Sequence, residues 1–314
     1  TCEGSNSFRG FESLSLRQLI MFYGSIPAVI TPFKDNEVDY EALTKVLEYL
    51  IGNNSNGLVP CGTTGESPTL SHEEHKKIVE ETIRINDKRV PIIAGTGSNN
   101  TLEAIEFTNH AEKAGADAAL VVTPYYNKPT QKGLYEHYKS ICENSNIPII
   151  IYNIPGRSVI DMTIDTMVEL SKLKNIIGVK DATGDLNRVD ETLKKLGKDF
   201  LQLTGNDDNA LEFNKRGGEG AISVTANIAP KICSDFQNFS NLKNKNANKD
   251  EAERLNKILQ PLHHAMFVES NPSPVKYAAK KLGLCDDAVR LPLVKVTNNT
   301  KDIINKALES AKLV

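Results

Sequence analysis

The sequence predicts an α/β chain built as a (β/α)8 TIM barrel with a C-terminal helical appendage. Three observations predict it. Eight short apolar, β-branched runs recur between positions 24 and about 224, each followed by a loop and a segment of 3.6-residue periodicity. These runs are apolar throughout rather than alternating, as strands buried on both faces of a parallel sheet are. Beyond about position 240 the strand signal stops and only helical patterns remain.

In chain order the runs are "SIPAVIT" (25–31), "GLVPC" (57–61), "VPIIAG" (90–95), "AALVV" (118–122), "IPIIIYN" (147–153), "IIGVK" (176–180), "LQLTG" (201–205) and "AISV" (221–224). The helices between them carry their own start and stop signals. "SHEEHKKIVEETI" opens with Ser71 and Glu74 at capping-box spacing and sets Ile78, Val79 and Thr82 on one face. "TLEAIEFTNHAEKAG" sets Ala104, Ile105, Thr108 and Ala111 on one face and stops at Gly115, a residue suited to the left-handed C-cap. An open doubly wound sheet would have fewer strands and a dinucleotide fingerprint, and the nearest candidate, "GTGSNN" from Gly95, lacks the third glycine. After the polar link "NLKNKNANKD" come three helical patterns: Ala252, Leu255, Leu259 and Leu262; "PVKYAAKKLG"; and Ile303, Ile304, Ala307 and Leu308. The expected organisation is residues 1–20 as a leader or non-native extension, 21–240 as the catalytic barrel and 241–314 as the C-terminal helical region.

Composition narrows the function classes. A net charge of −3, with no basic run interleaved with aromatics, offers no footprint for nucleic acid. The apolar runs are far shorter than the about 20 residues that cross a bilayer. Five scattered cysteines, Cys2, Cys61, Cys142, Cys233 and Cys285, form no CxxC pair, and the odd count argues against a disulfide framework. A reducing cytoplasm, with small molecules or other chains as partners, is the expectation.

In a barrel of this kind the chemistry sits at the carboxyl ends of the strands and in the loops after them. Lys180 ends the sixth run. Desolvation disfavours the charged form of an amine and leaves more of the nucleophilic free base, the form that builds Schiff bases. The alternative is an ordinary lysine reaching to solvent or to Asp181. Tyr152, at the end of the neighbouring run, could set a phenol beside an imine to move its protons, or could be a core tyrosine. "CGTTGES" (61–67) supplies Thr63 and Thr64 between glycines, able to turn backbone N–H groups and hydroxyls toward a carboxylate. Arg157, in "YNIPGR", could hold a second carboxylate in bidentate fashion, or could be a surface arginine. His72 and His75 resemble half a metal site, but six histidines with no third ligand at a suggestive spacing argue against zinc, leaving a capped, solvent-facing helix start as the plain alternative.

The ordered set "GTTGES", "TPYYNKPTQKGLYEHY", "YNIPGR", "GVKDATGD", "TGNDD" and "AISVTAN" resembles the dihydrodipicolinate synthase family, within the wider N-acetylneuraminate lyase superfamily of pyruvate-dependent Schiff-base aldolases. The likeness runs from Met21 to the C-terminus. It implies condensation of pyruvate with L-aspartate 4-semialdehyde, without a metal or cofactor because the protonated imine is itself the electron sink, in a homotetramer built as a dimer of tight dimers. By resemblance Lys180 is the Schiff-base lysine, Tyr152 the proton-transferring tyrosine and Thr63 the relay threonine, with Tyr126 inserted from the neighbouring subunit. Thr64 would bind the pyruvate carboxylate through its backbone, Arg157 the aldehyde's carboxylate, and Gly205 and Ile222 would line the pyruvate pocket. Ser67, Pro68, His72, His75, Asn99, Glu103 and Tyr125 match a feedback site for L-lysine, with Glu103 on its amino group. Pro68 departs from the small residue expected there. A sister aldolase acting on a sugar acid, such as N-acetylneuraminate or a 2-keto-3-deoxy acid, shares the fold, the lysine and the first tyrosine; Arg157 and the Tyr125–Tyr126 pair argue against it. A non-catalytic barrel would be expected to have lost the lysine or the tyrosine.

Overall fold

The computed structural model describes residues 22–314. Residues 1–20, expected to be a leader or extension, lie outside that range. The chain opens with β1 (Gly24–Pro27), followed by a short antiparallel hairpin, β2 (Phe33–Lys34) and β3 (Glu37–Val38), that no sequence signal announced. β4 (Ile93–Gly95), β5 (Ala118–Val122), β6 (Ile149–Asn153), β7 (Ile176–Asp181), β8 (Leu201–Thr204) and β9 (Gly220–Ser223) then alternate with helices. Together with β1 they form one seven-stranded sheet in the order β1-β9-β8-β7-β6-β5-β4, and every pairing in it is parallel.

The eighth place in the ring belongs to "GLVPC", and here the expectation needs correction. That run makes no regular strand, only single bridges from Leu58 to Ile92 and from Val59 to Ala28. Pro60 and, on the facing run, Pro91 have no N–H to donate, which breaks the ladder on both sides. Isolated backbone bonds still close the barrel: Val59 N–H to the Pro27 carbonyl, Ile93 N–H to that of Leu58 and Gly95 N–H to that of Pro60, each at 2.9 Å.

The continuous apolarity of the strands has a simple cause. Along β5 and β6, Ala118, Leu120, Ile150 and Tyr152 point into the barrel, while Ala119, Val121, Ile149 and Ile151 face the surrounding helices, and both sets are buried. The predicted helix signals are present. Ser71 and Glu74 form the full capping box of the helix His72–Asn86, and Gly115 closes Thr101–Ala114 with φ 96°. The C-terminal helices Lys249–Ala265, Ser273–Lys281 and Asn298–Ser310 are fastened to the barrel through one shared core, in which Leu255, Leu259 and Leu262 join Leu43, Leu47 and Leu50 of the helix Tyr40–Gly52. Each such leucine contributes about 2 kcal/mol of burial. No helix among the described residues is long and apolar enough to cross a membrane.

Candidate active site

β6 and β7 run in parallel with Tyr152 opposite Lys180. Both point into the barrel at its carboxyl end, and each is 6 % exposed. The Lys180 amine stands 4.1 Å from the centroid of the Tyr152 ring. Asp181, the alternative partner in the sequence, is committed elsewhere: Oδ1 accepts from the backbone and hydroxyl of Thr183, and Oδ2 accepts from Arg188 Nε at 2.9 Å. Among the described residues Lys180 has no ion-pair partner, since the neighbouring Asp181 pairs with Arg188 instead.

A chamber of about 40 Å³ encloses that amine, lined among others by Thr63, Thr64, Tyr152, Arg157, Gly205 and Asn271. Gly205 follows β8, and a Cβ there would stand 2.9 Å from Lys180 Cε and 2.8 Å from Ala182 Cβ, so the lysine occupies space that only glycine leaves. Ile222 is buried in the inner core of the barrel and does not reach the chamber wall; from its strand end it is Val224 that does. A wider cavity of about 230 Å³ shares Gly62, Thr63, Leu120, Tyr152, Ile154 and Arg157 with the first and opens past Ser67, Pro68 and Tyr125. The wider cavity therefore adjoins the chamber that holds the amine.

Thr63 and Thr64 come from the loop after the irregular second run, where Gly65 N–H donates to the Gly62 carbonyl and Glu66 N–H to that of Thr63. Thr64 is buried, and its hydroxyl accepts from Asn271 Nδ2 at 3.0 Å. The same asparagine's backbone carbonyl accepts from Arg157 Nη2 at 3.4 Å. Asn271 thus ties the two carboxylate-binding candidates together, and its own Oδ1 is buried without a partner. Sequence reasoning missed it because it lies 207 positions from Thr64 and carries no periodic signal. Tyr126 is not brought to Lys180 within the chain: it sits on a left-handed backbone at φ 71° and is 87 % exposed.

Of the lysine-site candidates, Ser67, Pro68 and Tyr125 line the wider cavity. Glu103 accepts from His72 Nε2 at 2.7 Å and from the Ser98 hydroxyl. Tyr125 is half-buried, and burial, then the nearby Glu103 carboxylate, push its phenol up. The Asn99 carbonyl accepts from Asn127. His75 corrects the solvent-facing alternative: it is buried and stacked on Phe107 with ring centroids 4.0 Å apart, and burial lowers its pKa to about 4. Among the described residues no group of three His, Cys, Asp or Glu is placed to hold a metal ion.

An unpaired, buried strand-end amine beside a phenol, in a closed barrel, defines a lyase of the Schiff-base-forming class. Comparison with known proteins narrows the class. Residues 21–311 match the model of the Dihydrodipicolinate synthetase family, and the chain belongs to that family. It is 68 % identical to the 4-hydroxy-tetrahydrodipicolinate synthase of Pelagibacter ubique over 94 % of this chain and 100 % of that one. Among solved structures, the chloride-inhibited dihydrodipicolinate synthase from Acinetobacter baumannii complexed with pyruvate superimposes with a TM-score of 0.89 at 46 % identity, covering 93 % of this chain and 99 % of that one. The enzyme from Cyanidioschyzon merolae with lysine bound gives a TM-score of 0.89 at 34 % identity, covering 94 % and 100 %.

Proposed function

We propose that this chain condenses pyruvate with L-aspartate 4-semialdehyde to give 4-hydroxy-tetrahydrodipicolinate. One observation carries the reading: among the described residues Lys180 is the one lysine lining the chamber, and it is buried without an acidic partner and lies against Tyr152. In this mechanism Lys180 Nζ adds to the keto carbon of pyruvate and water leaves, giving a protonated imine. The cationic imine acidifies the adjacent methyl group, and loss of its proton gives an enamine. The enamine carbon attacks the aldehyde, forming the new carbon–carbon bond. The amino group of the adduct then displaces Lys180, which closes the six-membered ring and frees the enzyme.

The surrounding residues take the roles their positions suit. Tyr152 and Thr63 move protons as the imine forms and loses water, Thr64 offers its backbone to the pyruvate carboxylate, and Arg157 holds the carboxylate of the aldehyde. Gly205 leaves room for the lysine arm. Tyr126, exposed and held on a left-handed backbone, completes the relay in the cavity of a neighbouring subunit, within a homotetramer. The Glu103 carboxylate, with His72, Ser67, Pro68, Asn99 and Tyr125 around it and His75 packed behind through Phe107, takes the amino group of L-lysine as feedback inhibitor. The reaction belongs to the cytoplasm, where both substrates are small soluble acids.

The test couples turnover of the two substrates to a reductase that consumes the product, alongside borohydride trapping of pyruvate on the enzyme. Turnover that is lost in Lys180→Ala, with a reduced pyruvyl adduct on Lys180 of the parent, is the expected result. Trapping without turnover would overturn the choice of aldehyde and point to sugar-acid aldehydes; no trapping would overturn the nucleophile.

A further inference from the structure

Glu66 and Lys276 form an ion pair in which neither side chain has any exposure, with Lys276 Nζ donating to Glu66 Oε1 at 2.6 Å across 210 positions of sequence. Taking two charges out of water is costly, and an apolar pair of the same volume is often as stable or more so. A fully buried pair therefore needs a reason other than stability.

Its surroundings supply one. Glu66 ends the hydrogen-bonded turn that carries Thr63 and Thr64, and it sits on a left-handed backbone at φ 55° that a non-glycine residue adopts at a cost of about 1 kcal/mol. Its second oxygen, Oε2, accepts from the backbone N–H of Arg290 at 3.1 Å. Lys276 is held in turn against the Phe33 ring of the hairpin, 4.1 Å from its centroid, and Arg290 lies 4.3 Å from the same centroid. The Arg290 guanidinium grips Glu74 through two 2.6 Å bonds and the Thr69 carbonyl through one of 3.0 Å. Burial lowers the pKa of Lys276, and Glu66 opposes that by favouring the ammonium. The carboxylate is thus fastened at both oxygens by the C-terminal region, and the turn cannot rotate about residue 66 without breaking a buried charge pair.

We propose that the Glu66–Lys276 pair is a positioning latch that holds the 63–66 turn in the geometry from which Thr63 and Thr64 serve the keto acid. This rests on the assignment of those threonines made above. Glu66 and Lys276 touch no substrate; they act through the turn. A latch of this kind makes the C-terminal helices part of the pyruvate site, although they contribute no lysine-binding or imine-forming group to it.

The discriminating variant is the double substitution Glu66→Gln with Lys276→Met in the full chain, which removes both charges together and keeps an oxygen for Arg290 N–H. Melting temperature, the KM for each substrate and the pyruvate dependence of borohydride trapping on Lys180 are compared with the parent. The expected result is a variant that melts within a few degrees of the parent, whose KM for pyruvate rises about tenfold while the KM for the aldehyde stays within about twofold. Half-saturation of trapping should shift by the same factor without the aldehyde present. An unchanged pyruvate KM in the folded variant would overturn the latch, as would equal rises in both KM values with a lowered melting temperature. Failure of the parent chain to trap pyruvate overturns the reading of the site, and the latch with it, before any variant is made.

Discussion

The two halves of the chamber around Lys180 are held in place by different physics. Tyr152 and Lys180 project from neighbouring strands whose backbones are locked in register, so their side-by-side placement follows from the ladder itself. Thr63 and Thr64 stand on a loop that follows the one run unable to form a regular strand, and what fixes them comes from far along the chain: Asn271 on the Thr64 hydroxyl and Lys276 on the Glu66 carboxylate. The proposed nucleophile thus sits on a strand fixed by its backbone ladder. The turn proposed to bind the carboxylate depends on side chains that a local change can release. Damage to the strand half should remove the chemistry, whereas damage to the loop half should weaken binding first.

The strongest way to break that comparison is at the nucleophile. Lys180→Ala removes the one lysine amine that lines the chamber among the described residues, and turnover is expected to fall by about 10³-fold or more, since no covalent route remains. Reductive trapping of pyruvate should vanish with it, while the melting temperature stays close to the parent's because the lysine makes no ion pair among the described residues. A trapped adduct surviving the substitution would place the nucleophile elsewhere.

A subtler strike on the same half uses Gly205. An added methyl group would collide with Lys180 Cε and with Ala182 Cβ, and the lysine arm, being the flexible partner, must move. Displacing a reacting atom by about 1 Å costs on the order of 100-fold in rate, so Gly205→Ala should lose that much in kcat with folding kept. Gly156→Ala is the matched control, because nothing lies within 4 Å of its added methyl. Equal kinetics for the two variants would mean that the lysine has another place to go.

The same contrast explains what was legible in the sequence. Strand-borne residues were readable because burial on both faces writes a continuous apolar run, and the residues at its carboxyl end stand out: Lys180, Tyr152 and the glycine after "LQLT". The "GTTGES" loop was visible as a motif, but its support was not. Asn271, Lys276 and Arg290 act over more than 200 positions through single side chains, and no periodicity or local spacing encodes such a contact. The hairpin at Phe33 was missed for a related reason: two residues per strand are too few to show an alternating pattern. "GLVPC" was readable as a stave of the barrel but not as an irregular one, since the break depends on two prolines, Pro60 in this run and Pro91 in the neighbouring one, that come together only when the runs pair.

The lysine-site candidates show a third kind of support, a partly buried carboxylate held by side-chain bonds. Glu103 is fixed between His72 and Ser98, and by the reading proposed above it receives the amino group of L-lysine. Glu103→Ala should raise the lysine concentration for half-inhibition by about tenfold, the loss of one charge-assisted contact. Unchanged inhibition would move the effector away from this cluster, and a parent chain indifferent to millimolar lysine would remove the regulatory role altogether.

The smallest effect lies behind that cluster, at His75. Its ring is stacked on Phe107, its Nδ1 is buried without a partner, and burial holds its pKa at about 4 against 6.5 in an unfolded chain. Between those values the unfolded state binds the extra proton, so stability is lost as pH falls below about 6.5 and the loss is complete near 4. At pH 5 the difference amounts to about 2 kcal/mol. His75→Phe keeps an aromatic ring on Phe107 and removes the titration, so its melting temperature should fall less than the parent's between pH 7 and pH 5. His137, also buried with its pKa lowered to about 4, leaves a residual slope in both proteins. Identical slopes would show that His75 opens to water before the chain unfolds, and the packing behind the Glu103 cluster would then be looser than that of the chamber wall.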